Sequence, residues 1–456
     1  MKLYDTLSGR ARSFSTHDDK VRMYVCGVTP YAASHIGHAM FSVVFDVVRR
    51  YLEFKGFEVV HVQNITDIDD KMIQAASDLG ISTEELAERN AEAYLQEMDA
   101  LNVLRAHTYP RATKEMPTIL RMIQGLVDKG YAYNVNGDVY FRVRKDQGYG
   151  RLSHRSLDSM MAGARVEIDE HKEDVMDFAL WKSQKPGEPA WDSPWGPGRP
   201  GWHIECSAMS ITHLGETIDI HGGGQDLIFP HHENEIAQAE SYTETSPFVR
   251  FWLHNGLLRL GEDKMSKSLG NIVSVAEALE KFSSDTLRLF FISSHYRSPL
   301  VYSDQNVMAQ ERAVERLRNA LKPGAEAGGQ ALAPDAYQER FVEAMDDDLN
   351  TPRALAVLFD LARDINRARE RGDGVGPAQN ALRALAGVLG LTLKEPESYV
   401  GQDVAPLFDL LVEVRADLRE AKQYELADKV RRRLAELGIT LEDTPRGTEW
   451  MHTPRH

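Results

Sequence analysis

Residues 21–25 (Val-Arg-Met-Tyr-Val) set apolar and polar side chains alternately, the period-2 pattern of a strand. Cys26 to Ser34 reads as a loop of small residues. From His35 to Lys55 the pattern becomes helical, with apolar positions at Ile36, Met40, Val43, Val44, Val47 and Tyr51. Ser34 can cap that helix and Gly56 stops it. Phe57–Ile65 is a second strand, so the chain opens with a β-α-β unit of the kind that builds a parallel, nucleotide-binding sheet. The character changes over about 108–195: Asn136-Gly137 between two apolar runs predicts a tight hairpin, and Gly and Pro crowd residues 186–201 around Trp191 and Trp195. Strand–loop–helix units then resume, which makes the 108–195 stretch an insertion. Ile218–His221 is a short strand, Gly222–Gly224 a loop, Pro230 onward a helix, and Phe251–Leu260 a further strand. Ser274 and Glu277 form a capping box. Residues 322–336 are a linker rich in Ala, Gly and Pro, followed by helical periodicity to about Leu389. A break over 392–403 precedes two more helices and a short tail ending near Trp450.

Composition narrows the class. A chain of 456 residues divides into roughly two to four domains, and 27% charged with 42% hydrophobic residues is ordinary globular usage. No apolar run approaches the length of a membrane span, and Met1–Thr6 lacks the apolar core of a secretory leader, so a cytoplasmic enzyme is expected. A net charge of −16 argues against a sequence-independent DNA coat but leaves RNA open, because a few local cations can steer a polyanion. Lys429 and Arg431–Arg433 are such a cluster, with a solvated helix face as the alternative. Only two cysteines occur, Cys26 and Cys206, far apart in the chain, so a structural disulfide is not expected.

Three groups of residues carry chemistry. His35-Ile36-Gly37-His38 stands at a helix start, where unpaired N–H groups and the helix dipole favour phosphate. The imidazoles add directional donors and Gly37 allows close approach; a capping histidine beside a surface one explains the same residues. Lys264-Met265-Ser266-Lys267-Ser268 offers two lysines and two hydroxyls, suited to a polyphosphate whose charge grows during reaction, although taken singly it reads equally as a solvated loop. The third group is Cys26, Cys206, His231 and Glu235, all residue types that zinc accepts. His231 and Glu235 share a helix face, and Cys26 ends a strand at the edge where a parallel sheet binds ligands. The spacing matches no zinc finger, and two buried core cysteines are the open alternative.

The first two motifs, in this order and after an early and a late strand of one sheet, resemble those of class I aminoacyl-tRNA synthetases. The surrounding residues are similar to cysteinyl-tRNA synthetases in particular: Asn64-Ile65-Thr66-Asp67-Ile68-Asp69-Asp70-Lys71, Gly201-Trp202-His203-Ile204-Glu205-Cys206-Ser207-Ala208-Met209, His221-Gly222-Gly223-Gly224-Gln225-Asp226 and Pro230-His231-His232-Glu233-Asn234-Glu235. Met345–Pro352 and Leu441–Pro445 carry the likeness into the C-terminal half, so it covers essentially the whole chain. The fold it implies is α/β: a Rossmann-like parallel-sheet catalytic domain over 1–255 with the 108–195 insertion, a Lys264–Ser268 loop and stem-contact region over 256–310, an α-helical bundle over 311–390, and a small C-terminal anticodon-binding domain over 404–456. It implies that L-cysteine, ATP with Mg2+ and tRNA(Cys) are the substrates. His35 and His38 then meet the phosphates, and Lys264 and Lys267 the departing pyrophosphate. Thr29, Gly37, Asp226, Ser266 and Lys267 complete the nucleotide site, Asp226 on ribose or on the substrate ammonium. One Zn2+ per chain rests on Cys26, Cys206, His231 and Glu235, and Trp202, His203 and His221 line the cysteine pocket, with plain packing as their alternative. A monomer is expected, with no DNA or membrane partner.

One loop departs from this pattern. After Cys26 the chain reads Gly27-Val28-Thr29-Pro30-Tyr31-Ala32, whereas cysteinyl-tRNA synthetases carry Pro-Thr-Val-Tyr-Asp after the glycine. The order here resembles a mycothiol-pathway ligase that joins cysteine to an amino sugar by the same adenylation, so the loop bears on the acceptor. Glu235 and the C-terminal module favour tRNA, and a catalytically silent tRNA-binding paralogue is the reading from another class.

Overall fold

The computed structural model describes residues 1–16, 18–157, 159–160, 171–261, 263–264, 272–323, 329–394, 405–436, 438–444 and 447–452. Two compact units form, Met1–Leu393 and Lys394–His456. The first opens with a hairpin, β1 (Lys2–Asp5) and β2 (Arg10–Ser13), and then builds the expected unit from β3 (Lys20–Val28), α1 (Ile36–Phe54) and β4 (Glu58–Ile65). Helices α2 (Asp70–Leu79), α3 (Thr83–Ala100) and α4 (Met116–Asp128) follow. Next come β5 (Ala132–Val135), β6 (Asp138–Phe141), β7 (Phe178–Ser183) and β8 (Gly198–Pro200), a four-stranded antiparallel sheet. Asn136 and Gly137 both adopt positive φ, +53° and +96°, the backbone that a two-residue hairpin of matching twist requires.

The chain then returns through α5 (Trp202–Leu214), β9 (Ile218–Gly224), α6 (Glu233–Thr243) and β10 (Val249–Asn255) to the first sheet. That sheet is parallel with the order β10-β9-β3-β4. From β3 the chain winds one way to β4, and from β9 the other way to β10. The direction therefore reverses between β3 and β9, and the crevice at their C-terminal ends is where such sheets bind ligands. Helix α1 is buried nearly all round: Ile36, Met40, Val43, Val44, Val47 and Tyr51 make up the predicted stripe, and Ala39, Phe45, Val48 and Leu52 are covered as well.

Four sequence expectations change in the first unit. The glycine run Gly222–Gly224 belongs to β9 and is not a loop: a Cβ on Gly222 would meet Phe45 at 2.2 Å and one on Gly223 would meet His232 at 2.4 Å, so the strand is bare because rings pack on it. The 251–260 stretch breaks at Gly256, and β11 (Leu258–Leu260) joins β12 (Asp263–Lys264) and a later strand in another sheet. The cap of α1 is His35, not Ser34; Ser34 instead gives its carbonyl to Val275 N–H. Helix α6 begins at Glu233, after a single π-type turn over Ile228–His232.

The rest of the first unit comprises α7 (Val275–Lys281), α8 (Ser284–Ile292), β13 (Leu300–Tyr302), α9 (Asp304–Ala320), α10 (Asp335–Asp346), α11 (Thr351–Glu370) and α12 (Gly376–Val388). Helix α7 starts at the predicted Ser274–Glu277 capping box. The second unit holds α13 (Ala405–Glu420), α14 (Tyr424–Glu436) and a hairpin of β14 (Ile439–Thr444) with β15 (Gly447–His452) where a plain tail was expected. Its core gathers Leu434, Ile439 and Leu441 with Phe408, Val430 and Trp450. Among the described residues no helix is long and apolar enough to cross a membrane.

Candidate active site

Cys26, Cys206, His231 and Glu235 meet at the C-terminal edge of the parallel sheet. Cys26 lies where the β3–β4 register shifts, between Val25 and Val28, an irregularity of the kind that re-aims a side chain. Gly27 permits it: its N–H donates to Asn64 Oδ1 at 2.8 Å, and a Cβ there would lie 1.5 Å from the Asn64 carbonyl oxygen. Gly27→Ala is therefore expected to destabilise the unit by about 1–3 kcal/mol or more, read as a fall in the thermal midpoint. An unchanged midpoint would refute this account of the bulge.

From α5, Cys206 brings Sγ to 4.0 Å from Cys26 Sγ. His231 comes from the π-type turn and Glu235 from the first turn of α6, with Nε2 and Oε1 3.0 Å apart. The second oxygen of Glu235 accepts from His221 on β9 at 2.8 Å, and Cys26 Sγ is 3.7 Å from Glu235 Oε1. All of these side chains are buried. Charge in such a site must be balanced internally. The hydrogen bond donated by Cys26 holds the Cys206 thiol down to about 6, and His231 adds to it against burial and the Glu235 charge. Burial, and then the bond to Cys206, pushes Cys26 well above the ordinary thiol range. Burial opposes the His231 charge, but Glu235 and Cys206 lift it to about 10. Burial likewise opposes ionisation of Glu235, yet His221 and His231 take it down to about 2. Two cysteine sulfurs, a buried carboxylate and a histidine that shares its proton with that carboxylate are thus assembled around a point where a divalent cation would replace protons, and sulfur, nitrogen and oxygen donors together fit zinc.

Sequence reasoning missed two histidines. His232 Nε2 is 3.2 Å from Cys26 Sγ, His232 Nδ1 is 2.8 Å from His254 Nε2, and His254 Nδ1 is 2.7 Å from Thr6 Oγ1. Among the described residues, Cys26, His231, His232 and Glu235 carry ligand atoms within 4.8 Å of one another, so His232 stands beside Cys206 as a possible fourth donor. His232 was visible three residues before Glu235; nothing local marked His254. At the mouth, Trp202 is 40% exposed and stacks on His231 with ring centroids 4.2 Å apart, and His203 Nδ1 is 2.9 Å from His231 Nδ1.

The second group sits at the start of α1. His35 Nδ1 accepts from Gly37 N–H at 3.2 Å, and His38 Nδ1 accepts from His35 N–H at 3.3 Å. Accepting at Nδ1 puts each ring proton on Nε2. The rings stack with centroids 3.8 Å apart, so the two Nε2–H donors act side by side at a helix N-terminus. Thr29 follows β3 directly, its carbonyl accepting from Tyr31 N–H at 2.9 Å. Ile36 N–H bonds to Val273 O and Val275 N–H to Ser34 O, which stitches the helix start to the segment just after the Lys264–Ser268 loop. Lys264 pairs with Arg259 in β12; Met265, Ser266, Lys267 and Ser268 lie outside the described residues. Asp226 lies exposed in the turn Gln225–Leu227 that leaves β9.

Comparison with known proteins gives the family. The model of the family described as tRNA synthetases class I (C) catalytic domain matches residues 13–312, and that of the DALR domain matches 340–394. The chain is 57% identical over 453 residues to the cysteine–tRNA ligase of Dehalococcoides mccartyi strain BAV1, covering 99% of both. It is 49% identical to the cysteine–tRNA ligase of Carboxydothermus hydrogenoformans, again covering 99% of both. In fold it is similar to Mycobacterium tuberculosis methionyl-tRNA synthetase in complex with methionyl-adenylate, with a TM-score of 0.59, 17% identity, and 86% and 94% of the two chains covered. With a reversed parallel sheet, stacked histidines at the mouth of its crevice and relatives matched over their whole length, the chain belongs to the cysteine–tRNA ligase family of class I aminoacyl-tRNA synthetases.

Proposed function

We propose that the chain activates L-cysteine with ATP and passes the cysteinyl group to tRNA(Cys), and that it selects the amino acid by its thiol. The observation that carries the thiol reading is the pair of cysteines 4.0 Å apart beside His231 and Glu235, in the crevice whose mouth holds His35 and His38. An apolar pocket separates near-isosteric substrates by only about 1–3 kcal/mol, too little to keep serine out of protein. Cys26, Cys206, His231 and Glu235 would hold a zinc ion, which would supply a borderline-soft Lewis acid for a thiolate that a hydroxyl of far higher pKa matches poorly. His232 and His254 then orient Cys26 from behind.

In the first step the cysteine carboxylate attacks the α-phosphorus of ATP and pyrophosphate leaves; in the second the cysteinyl group moves to the terminal ribose and AMP leaves. Both steps need positioning and charge stabilisation more than a protein acid. His35 and His38 donate from Nε2 to phosphate oxygens, with Gly37 and Thr29 bordering them. Lys264, Ser266 and Lys267 meet the departing pyrophosphate, with Mg2+ accompanying the nucleotide, and Asp226 receives the ribose or the ammonium. In this reading 256–310 contacts the acceptor stem, 311–390 is a docking scaffold, and 404–456 binds the anticodon. The chain acts as a cytoplasmic monomer.

ATP–pyrophosphate exchange is expected to require cysteine and to ignore serine; exchange with another amino acid would overturn the substrate. Offering tRNA(Cys) and an amino sugar together decides the acceptor, and transfer to the sugar would move the chain to the ligase chemistry that the Val28–Ala32 loop resembles.

A further inference from the structure

The acidic run Met345-Asp346-Asp347-Asp348-Leu349-Asn350 ends α10, far along the chain from every residue assigned above. Three adjacent acids usually mark a solvated helix end. Here each has a separate partner. Asp346 accepts from Tyr51 Oη at 2.7 Å and Lys55 Nζ at 3.2 Å, and Asp347 from Arg353 Nη1 at 3.0 Å. Asp348 is buried, and it accepts from Tyr4 N–H at 2.7 Å, Tyr296 Oη at 3.0 Å, Arg297 Nε at 2.8 Å and Arg297 Nη2 at 2.7 Å, with His295 Nε2 at 3.5 Å. Asp348 and Leu349 both adopt left-handed backbone, φ +56° and +53°, which non-glycine residues keep only where their surroundings impose it.

What Asp348 holds leads to the crevice. The carbonyl of Tyr296 accepts from Gly256 N–H at 2.8 Å, just past the end of β10. The carbonyl of Arg297 accepts from Gln225 Nε2 at 3.1 Å, beside Asp226 at the end of β9. A Cβ on Gly256 would lie 2.2 Å from the Ser298 carbonyl oxygen, so the loop rests directly on the sheet edge. We infer that Asp348 is a positioning residue for amino-acid activation: through Arg297 and Gln225 it fixes the turn that carries Asp226. This rests on the proposed placement of Asp226 at the substrate. The helical region of the chain thereby takes part in the first chemical step as well as in docking, since the turn between α10 and α11 braces the crevice rim. Misplacement of a binding group by a fraction of an ångström is enough to weaken a substrate contact.

The test uses the full chain loaded with zinc. Asp348→Asn, Arg297→Lys and Gln225→Leu are each expected to raise the KM for cysteine, if Asp226 meets the ammonium, or for ATP, if it meets the ribose, by about tenfold in ATP–pyrophosphate exchange, with kcat changed less and bound zinc unchanged. The Asp348–Gln225 double variant should be no worse than the poorer single one, because the two act in series. Hydrogen exchange supplies a second measurement independent of catalysis: Asp348→Asn should speed exchange in the peptide spanning 222–227. A merely structural Asp348 would lower the thermal midpoint while leaving Gln225→Leu silent, and that result overturns the inference. If wild type exchanges with no cysteine, the functional reading fails instead, and faster or unchanged exchange in 222–227 still decides the role of Asp348.

Discussion

Cys206→Ser is expected to lower bound zinc and the kcat/KM for cysteine together, by more than the roughly 10–100-fold that loss of an outer-shell partner costs a metal site. The substitution replaces sulfur by oxygen at a buried position and changes little volume, so an effect on folding should be small beside the chemical one. The chemical effect is large because of what Cys206 supplies. Cys26 and His231 hold its thiol below the ordinary range, which eases loss of the proton to an incoming cation. A serine hydroxyl in the same place stays protonated and is a hard, weak donor. Metal content measured by competition with a chromophoric chelator separates this from a simple loss of substrate contact. The companion variant His232→Asn discriminates between the two candidate donor sets, because His232 and Cys206 both lie near Cys26. If zinc survives Cys206→Ser and is lost in His232→Asn, the ligands are Cys26, His231, His232 and Glu235, and the proposed set is wrong by one residue.

The features legible in the sequence are those whose cause is local. The stripe of α1 repeats every three or four residues because one side of a helix faces the sheet, and Asn136-Gly137 and Ser274–Glu277 announce a turn and a cap through their own backbone needs. Cys26, His231 and Glu235 could be proposed because a strand end and an i, i+4 pair have a fixed geometry once the elements are known. That Cys206 would come within 4.0 Å of Cys26 follows only from the winding of α5 back onto β3, and spacing says nothing of it. Gly222–Gly224 looked like a loop for the same reason: the rings of Phe45 and His232, which fill the space that side chains on that strand would occupy, arrive from elsewhere in the chain. His254 was invisible because its use depends on a ring two strands' length away in sequence, and a histidine on a core strand is ordinary. Asp348 and Gln225 each fall in a matching stretch, but what joins them is Arg297, which no local pattern marks.

Asp46→Ala should destabilise the first unit strongly, by about 3–5 kcal/mol. Asp46 on α1 and Arg288 on α8 are both fully buried, with Oδ2 and Nη2 2.5 Å apart. Asp46 also accepts from Arg50 Nε at 2.7 Å and from Leu104 N–H at 2.8 Å. Arg288 spends its other donors on carbonyls, Leu101 at 2.9 Å, Asn102 at 3.1 Å and Leu389 at 3.0 Å, so it binds the end of α12 and the segment after α3 to α1, the helix that His35 caps. Removing the carboxylate leaves the fully buried Arg288 guanidinium facing only neutral carbonyls, and takes away the partner of the half-buried Leu104 N–H. Asp46→Asn keeps one acceptor oxygen, enough for the guanidinium side or for Leu104 N–H but not for both, and should cost less than alanine, an order that a purely steric effect would not produce. The exposed pair Arg105–Asp99 sets the scale: its alanine variants should cost about 0–1 kcal/mol, since solvent already screens those charges. Urea unfolding followed by the fluorescence of the buried Trp181 and Trp252 reads this unit directly. An Asp46→Ala midpoint no lower than that of Asp99→Ala would show that the knot is not what ties α1 to α8, and the rigidity of the His35–His38 platform would need another source.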